Sequence, residues 1–273
     1  MCSMDFRLSK MITEHATPVQ YYLGPADQAF LLNDFIGRKI KITFKHQITC
    51  LHCNTLIKKT YSSGYCYQCF QTLAQNDQCI VSPHLCHYHL GTCREPSWGE
   101  EHCMKPHIVY LANTSGLKVG VTRLTQIPTR FIDQGAHTAL PIIKTKNRRE
   151  AGMIEKLFAS MMDDKTNWRN MLKGVPEPVN YLNLKKQLFF TCGKNLDELE
   201  ESFTPDDIEL LEDQQIYEFQ YPILSYPDKV SSFNLDKVNL IEGILMGIKG
   251  QYLILDTGVI NIRNHGGYHI ELR

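Results

Sequence analysis

Excess charge of either sign is missing from this chain: Lys and Arg total 29, Asp and Glu total 29, in 273 residues. A global basic field, which by itself would advertise nucleic acid, is therefore excluded. Long apolar runs are missing too. No stretch of the sequence approaches the roughly 20 apolar residues that a membrane-crossing helix needs, so no membrane partner is expected. The opening residues Met1-Cys2-Ser3-Met4-Asp5-Phe6-Arg7 lack the apolar core of a secretory signal. The expectation is a cytoplasmic protein, where cysteine is kept for metals or catalysis rather than disulfides. With 43% hydrophobic residues, the chain can bury a real core and divide into two or three units.

Cysteine, by contrast, is plentiful, with ten residues. Four are spaced Cys50-x2-Cys53 and Cys66-x2-Cys69, twelve residues apart. Each Cys-x-x-Cys knuckle aims two thiols at one centre, and two knuckles make the tetrahedral sulfur shell of structural zinc. Gly64, in Tyr61-Ser62-Ser63-Gly64-Tyr65, stands where a tight turn must return the second knuckle to the first. Zinc is the reading adopted; two disulfides, inert buried thiols, a redox pair and an iron-sulfur site are the alternatives. A second group follows, with Cys79, Cys86, Cys93 and Cys103 among His84, His87, His89, His102 and His107. Its four cysteines are the simplest ligand set for a second zinc, with His87 or His102 able to replace one. The competing reading is a loop-rich segment with cysteines as small hydrophobes, although such a segment needs some staple. One or two Zn2+ are expected.

Beyond residue 106 the pattern becomes regular. Residues 107–112 read as a buried strand, Asn113-Thr114-Ser115-Gly116 as a turn and 117–122 as the returning strand. Pro128 opens a short helix through Arg130 and Gln134, and 140–145 reads as a third strand. Asn147, with Glu150 three residues on, makes a capping-box-like start to a further helix. Ala151, Ile154, Leu157, Phe158 and Met161 form that helix's apolar stripe. Glu155 lies at the stripe's edge, where a carboxylate needs a partner.

This order of elements and residues resembles the GIY-YIG nuclease superfamily, in the branch whose second motif reads Lys-Ile-Gly-Ile-Thr. Val109-Tyr110 stands at the first motif and Lys118-Val119-Gly120-Val121-Thr122 at the second. Arg130 sits in the following helix and Glu155 in the helix after the third strand. Two positions depart: Ile108 replaces the glycine of the first motif, and Lys118 the tyrosine that opens the second. The resemblance implies a three-stranded antiparallel sheet with helices and a phosphodiesterase site. Tyr110 would help deprotonate the attacking water, Arg130 would stabilise the phosphorane-like charge, and Glu155 would hold Mg2+ or Mn2+. Lys118 would assist at the phosphate or as a base. Phosphodiester cleavage needs those three provisions: activated water, a cation and a metal. The plainer reading makes Arg130 a surface cation and Tyr110 a core aromatic.

Over nearly its full length the chain also resembles a bacterial family of unknown function. Its members couple Cys-x-x-Cys knuckles to the runs Cys93-Arg94-Glu95-Pro96-Ser97-Trp98-Gly99 and His102-Cys103. Further matching runs begin at Pro128-Thr129-Arg130 and at Asp164-Lys165-Thr166. In Asp164-Lys165-Thr166-Asn167-Trp168-Arg169, Trp168 either stacks a base or packs inward with Met171 and Leu172. Lys165 and Arg169, extended by Arg148 and Arg149, are candidate phosphate contacts. Past Gly174, Val175-Pro176-Glu177-Pro178 is a linker. Residues 195–213 carry nine acids and are expected as a solvated helical face. From Ile216 the pattern is strand and turn, over 241–248, 251–256 and 259–263.

These last strands are too few to stand alone. They are expected to pair with a strand over 38–48, where Lys39, Lys41 and Lys45 alternate with Ile40, Ile42 and Phe44. The result would be a small β-sheet or barrel closed from both chain ends. The expected architecture is α+β: an N-terminal strand region (1–49), a zinc-knuckle module (50–106), a GIY-YIG-like domain (107–174), a linker and acidic helical region (175–215), and a C-terminal β-module (216–273). The functional expectation is a zinc-containing protein that processes nucleic acid, RNA or DNA, at a divalent-metal phosphodiesterase site. The alternatives are a non-catalytic nucleic-acid-binding adaptor and a zinc-stapled protein-interaction module.

Overall fold

Lys39–Thr49 is the strand around which the chain is organised in a computed structural model, which describes residues 3–25, 27–162, 167–201, 203, 207–212 and 215–273. Its alternation is realised in space. Ile40, Ile42, Phe44 and Ile48 are buried, while Lys39 reaches Glu242 at 3.6 Å and Lys45 reaches Asp5 and Glu271 at 3.4 and 3.6 Å. Leu240–Lys249 pairs with it on one side and Tyr268–Leu272 on the other, both antiparallel. Met4–Arg7 extends the sheet beyond Tyr268–Leu272. Tyr252–Leu255 and Gly258–Asn261 extend it beyond Leu240–Lys249, and Leu56–Ile57 adds a short pairing at the end of the long strand. One sheet is thus built from both chain ends. Among the described residues no pairing joins its two edges, so it is an open sheet rather than a closed barrel. Register shifts at Leu245/Gly247 and Tyr268/Ile270 mark bulges, which bend and twist a sheet locally.

The second sheet centres on His107–Asn113, buried at every position. Leu117–Arg123 pairs with it to form one edge, and Thr138–Thr145 pairs on the other side. The expected three strands are joined by two more, because Ile208–Leu210 and Tyr217–Glu218 both pair with Thr138–Thr145. This corrects the reading of 195–213 as one solvated helical face. The helix Tyr181–Glu201 starts earlier and buries Tyr181, Leu188, Cys192 and Leu196. The strand that follows is met by cations of its neighbour: Lys144 to Glu209 at 2.7 Å and Lys146 to Asp207 at 2.6 Å.

His107–Asn113 separates two apolar layers. Ile108, Tyr110 and Ala112 share a core with the first sheet, while Val109 and Leu111 pack beneath the helices Arg148–Ala159 and Tyr181–Glu201. A strand covered on both faces has no polar side, which explains its unbroken apolar run. Asn147 caps the Arg148–Ala159 helix as its spacing implied, accepting from the Glu150 amide at 3.1 Å. Ala151, Ile154 and Phe158 are buried in the same helix, whereas Met161 lies past its end and is half exposed. A small sheet of Ile12–Glu14, Gln20–Leu23 and Phe30–Leu31 completes the β structure. Among the described residues, no helix is long and apolar enough to cross a membrane.

Candidate functional site

The long strand Lys39–Thr49 runs directly into the first cysteine knuckle. After Cys50 the chain reverses through Asn54 at φ +59°, and the Cys50 amide donates to the Thr55 carbonyl at 2.9 Å. The second knuckle opens the helix Tyr67–Thr72, with Cys66 at the N-cap and the Cys69 amide 3.4 Å from the Cys66 sulfur. Between them Tyr61 and Tyr65 pair across a tight turn. Gly64 takes φ +132° there, and a Cβ at that position would lie 2.4 Å from Leu51 Cδ1. Only glycine meets both demands.

One sulfur from each of Cys50, Cys53, Cys66 and Cys69 lies within 4.8 Å of the other three. Thiolate formation is prepared locally. The Thr55 hydroxyl and amide hold the Cys53 thiol down to about 6. Burial pushes Cys50 up, but the amides of Cys53, Cys66 and His52 outweigh it and leave that thiol below its ordinary value. Cys69 is pushed up by burial and by the neighbouring thiols. Amide-to-sulfur bonds of this kind orient and stabilise thiolate ligands. None of the nine described cysteines forms a disulfide. The four thiols can hold a zinc ion.

A second assembly lies along the Leu117–Arg123 sheet edge, in an open cavity of about 410 Å³. Lys10, Arg123, Arg130, Arg148 and Arg263 bring five cationic side chains to it. Two carboxylates, Asp133 and Glu155, line it as well. Asp133 is committed: Lys10 pairs with it and Gln251 Nε2 donates to it at 3.0 Å. Tyr110 stands behind the cleft, fully buried, its ring packed edge-on against Phe131. Gln134 Nε2 donates to the Tyr110 hydroxyl at 2.8 Å, and the Arg130 guanidinium also meets it. Gly120, directly opposite Tyr110, makes room for the ring, since a Cβ there would lie 2.7 Å from the hydroxyl. Burial holds the phenol above its ordinary value despite the opposing effect of Arg130 and Gln134.

The structure therefore gathers Arg130, Arg148 and Glu155 in one cleft and joins Tyr110 to it through Arg130 and Gln134. Lys118 sits farther along the edge strand, opposite Ala112, outside the cleft lining. Among the described residues, the expected basic surface is divided, with Arg148, Arg149 and Arg169 in different surroundings. Arg148 and Arg149 are consecutive on a helix and so diverge by about 100°; Arg149 lines different cavities, beside Glu150 and beside Asn195. Arg169 lies over the Trp168 ring at 4.4 Å, and Trp168 stacks on Tyr252 with centroids 5.5 Å apart, which favours the packing role. Lys165 lies outside the described residues. Lys10 and Arg263 come from the two chain ends, and no local pattern marks them. Only Arg123, adjacent to the Lys118–Thr122 run, was within reach of motif reading.

Cys79, Cys86, Cys93 and Cys103 also come together, around one small cavity. Comparison with curated proteins and with solved structures gives no match. A family model described as "Protein of unknown function (DUF2797)" matches residues 37–270, most of the chain, and the protein belongs to that family.

Proposed function

We propose that the cleft along the Leu117–Arg123 edge binds the phosphodiester backbone of a nucleic acid and cleaves it. The observation that carries this reading is the convergence of five cations with Glu155 at one sheet edge, in a chain whose total charge is balanced. Local concentration of positive charge in a concave site is what a polyanionic backbone requires. The order of hairpin, helix, strand and helix, with Arg130 and Glu155 on the two helices, supports the same reading by its likeness to GIY-YIG nucleases.

Arg130 faces the transferring phosphate and offsets its developing charge, while Arg123 and Arg263 hold flanking phosphates, and Lys10 and Arg148 add positive charge to the cleft wall. Glu155 lines the cleft from the helix Arg148–Ala159 and is the carboxylate assigned to a divalent ion; one carboxylate with water and phosphate oxygens is a donor set that Mg2+ accepts. Such an ion would supply charge neutralisation and water activation. Tyr110 is a positioning residue in this scheme: it stays protonated, and it orients Arg130 and Gln134.

The test is incubation of labelled RNA and DNA with Mg2+ or Mn2+. Cleavage is expected in the wild type and absent in Glu155→Gln with binding retained; Arg130→Ala is expected to lose about 100- to 1000-fold in rate. Cleavage that persists in Glu155→Gln would overturn the assignment. A second reading, backbone binding without cleavage, is favoured by the complete burial of Tyr110, which keeps its hydroxyl from any attacking water. Salt-steep binding with every substrate left intact would select it.

A further inference from the structure

Residues 74–103 contain one-turn 3-10 helices and α-helices of four to seven residues. Elements this short do not stand alone in water and need cross-linking from side chains. The four cysteines of the segment are placed to provide it. Cys79 lies in the first turn of Gln78–Val81, where its amide donates to Asp77 Oδ1 at 3.1 Å. Cys86 follows the 3-10 turn Pro83–Leu85. Cys93 comes just after the left-handed turn at Gly91, and Cys103 caps the helix Pro96–His102, its amide 2.7 Å from the Gly99 carbonyl.

We propose that Cys79, Cys86, Cys93 and Cys103 form a second zinc centre, closed by four thiolates, and that Arg148 is its counter-cation. All four line one cavity of about 10 Å³, close to the space of a single water-sized sphere. Cys79, Cys86 and Cys103 are buried, and none of the four is in a disulfide. Zinc binds as the thiols give their protons to solvent, which leaves a centre of net charge −2.

Arg148 supplies the opposite sign. Its amide donates to the Cys103 carbonyl at 2.8 Å, its guanidinium donates to the Ile80 carbonyl, and its Nε is buried without a hydrogen-bond partner. These contacts place it beside Cys103 and, through Ile80, beside Cys79. A half-buried cation beside neutral thiols is uncompensated; beside a dianionic centre it is paired. Because Arg148 also lines the cleft, the metal centre fixes one wall of it.

A rival ligand set exists in Asp77, Cys79 and His87, whose donor atoms lie within 4.8 Å of one another. Asp77 is already engaged by Arg94 at 2.7 Å and by the Cys79 amide, and His87 Nδ1 lies 2.7 Å from the Thr92 hydroxyl. Asp77 holds Cys79 in place from outside through its amide, and thiolate is the softer ligand that zinc prefers.

The experiment counts zinc in the full chain by native mass spectrometry and follows its release to a chelator. Wild type is expected to carry two zinc ions, Cys86→Ser and Cys66→Ser one each, and His87→Ala two. Arg148→Met is expected to release the second ion about tenfold faster, with Arg148→Lys restoring most of the difference. Cobalt substitution gives a reading that does not need the cysteine variants to fold, with two tetrathiolate centres absorbing per wild-type chain. A single zinc in wild type, with Cys79, Cys86, Cys93 and Cys103 alkylated equally fast before and after chelation, would overturn the centre. Loss of an ion in His87→Ala, with two retained in Cys93→Ser, would transfer it to the rival set. Unchanged release from Arg148→Met would remove the counter-cation. None of these readouts depends on chemistry in the cleft.

Discussion

In the two-sheet body, strands far apart in sequence share a core in which Leu8, Ile40, Tyr110, Phe131 and Ile260 are sealed from solvent. Between residues 50 and 103 no helix exceeds seven residues, and the buried apolar cluster comprises Cys50, Cys69 and Leu73. The first region can be stabilised by burial of apolar surface; the second has too little of it, and Cys50, Cys53, Cys66 and Cys69, which can hold a zinc ion, offer it a cross-link. The difference teaches where a metal would matter most: in the segment whose elements cannot hold each other, placed against a body that can.

The largest expected effect comes from removing metal. Zinc binding to structural thiol sites is worth about 10–16 kcal/mol in small peptides. Chelation is therefore expected to speed hydrogen exchange throughout 50–103 while the amides of 107–113, 138–145 and 240–249 stay protected. Joint loss of protection in both regions would end the comparison. The converse perturbation is Phe131→Ala, which empties a fully buried site packed against Tyr110, Tyr217 and Phe219. It is expected to cost about 3–5 kcal/mol in a denaturant melt, with zinc content unchanged.

A smaller effect should appear with pH, at the seam where the two sheets meet. Lys249 is buried, and its Nζ lies 2.6 Å from His137 Nε2 and 2.8 Å from the Met171 carbonyl. Burial, then the Lys249 charge, hold His137 down to about 4. The unfolded chain takes up a proton on this residue near its ordinary value of about 6.5, before the folded chain does. Stability is thus lost as pH falls from about 6.5 through 4. His137→Gln is expected to flatten that part of the thermal-melt profile relative to wild type; an unchanged slope would show that the pair is not strained. The smallest effect is at Glu209, whose bond to Lys144 is exposed. Glu209→Gln is expected to change stability by about 1 kcal/mol or less.

Much of this architecture is legible in local pattern. The spacing of Cys50, Cys53, Cys66 and Cys69, the alternation through Lys39–Thr49 and the Asn147 cap each act over a few residues, and each is realised. Signals fail where structure is imposed from a distance. Ile208–Leu210 and Tyr217–Glu218 are strands of three and two residues in polar surroundings, held by pairing to Thr138–Thr145 rather than by their own periodicity. Arg148 and Arg149 look equivalent in sequence, yet helix geometry sends one into the cleft and the other away. Lys10 and Arg263 reach the cleft because the chain ends are joined in one sheet, a fact no window of residues contains.

That joining has a consequence for how the chain must be made. The Lys39–Thr49 strand emerges from the ribosome roughly 190 residues before its partner Leu240–Lys249 and still longer before Tyr268–Leu272. At about 5–20 residues per second it waits on the order of 10–40 s with Ile40, Ile42 and Phe44 uncovered and its backbone edges unpaired ahead of the short Leu56–Ile57 pairing. The lysines at 39, 41 and 45 are then its protection against pairing with other nascent chains. Ribosome-bound fragments ending before Leu240 should be cut by protease within Lys39–Thr49, and full-length chains should not.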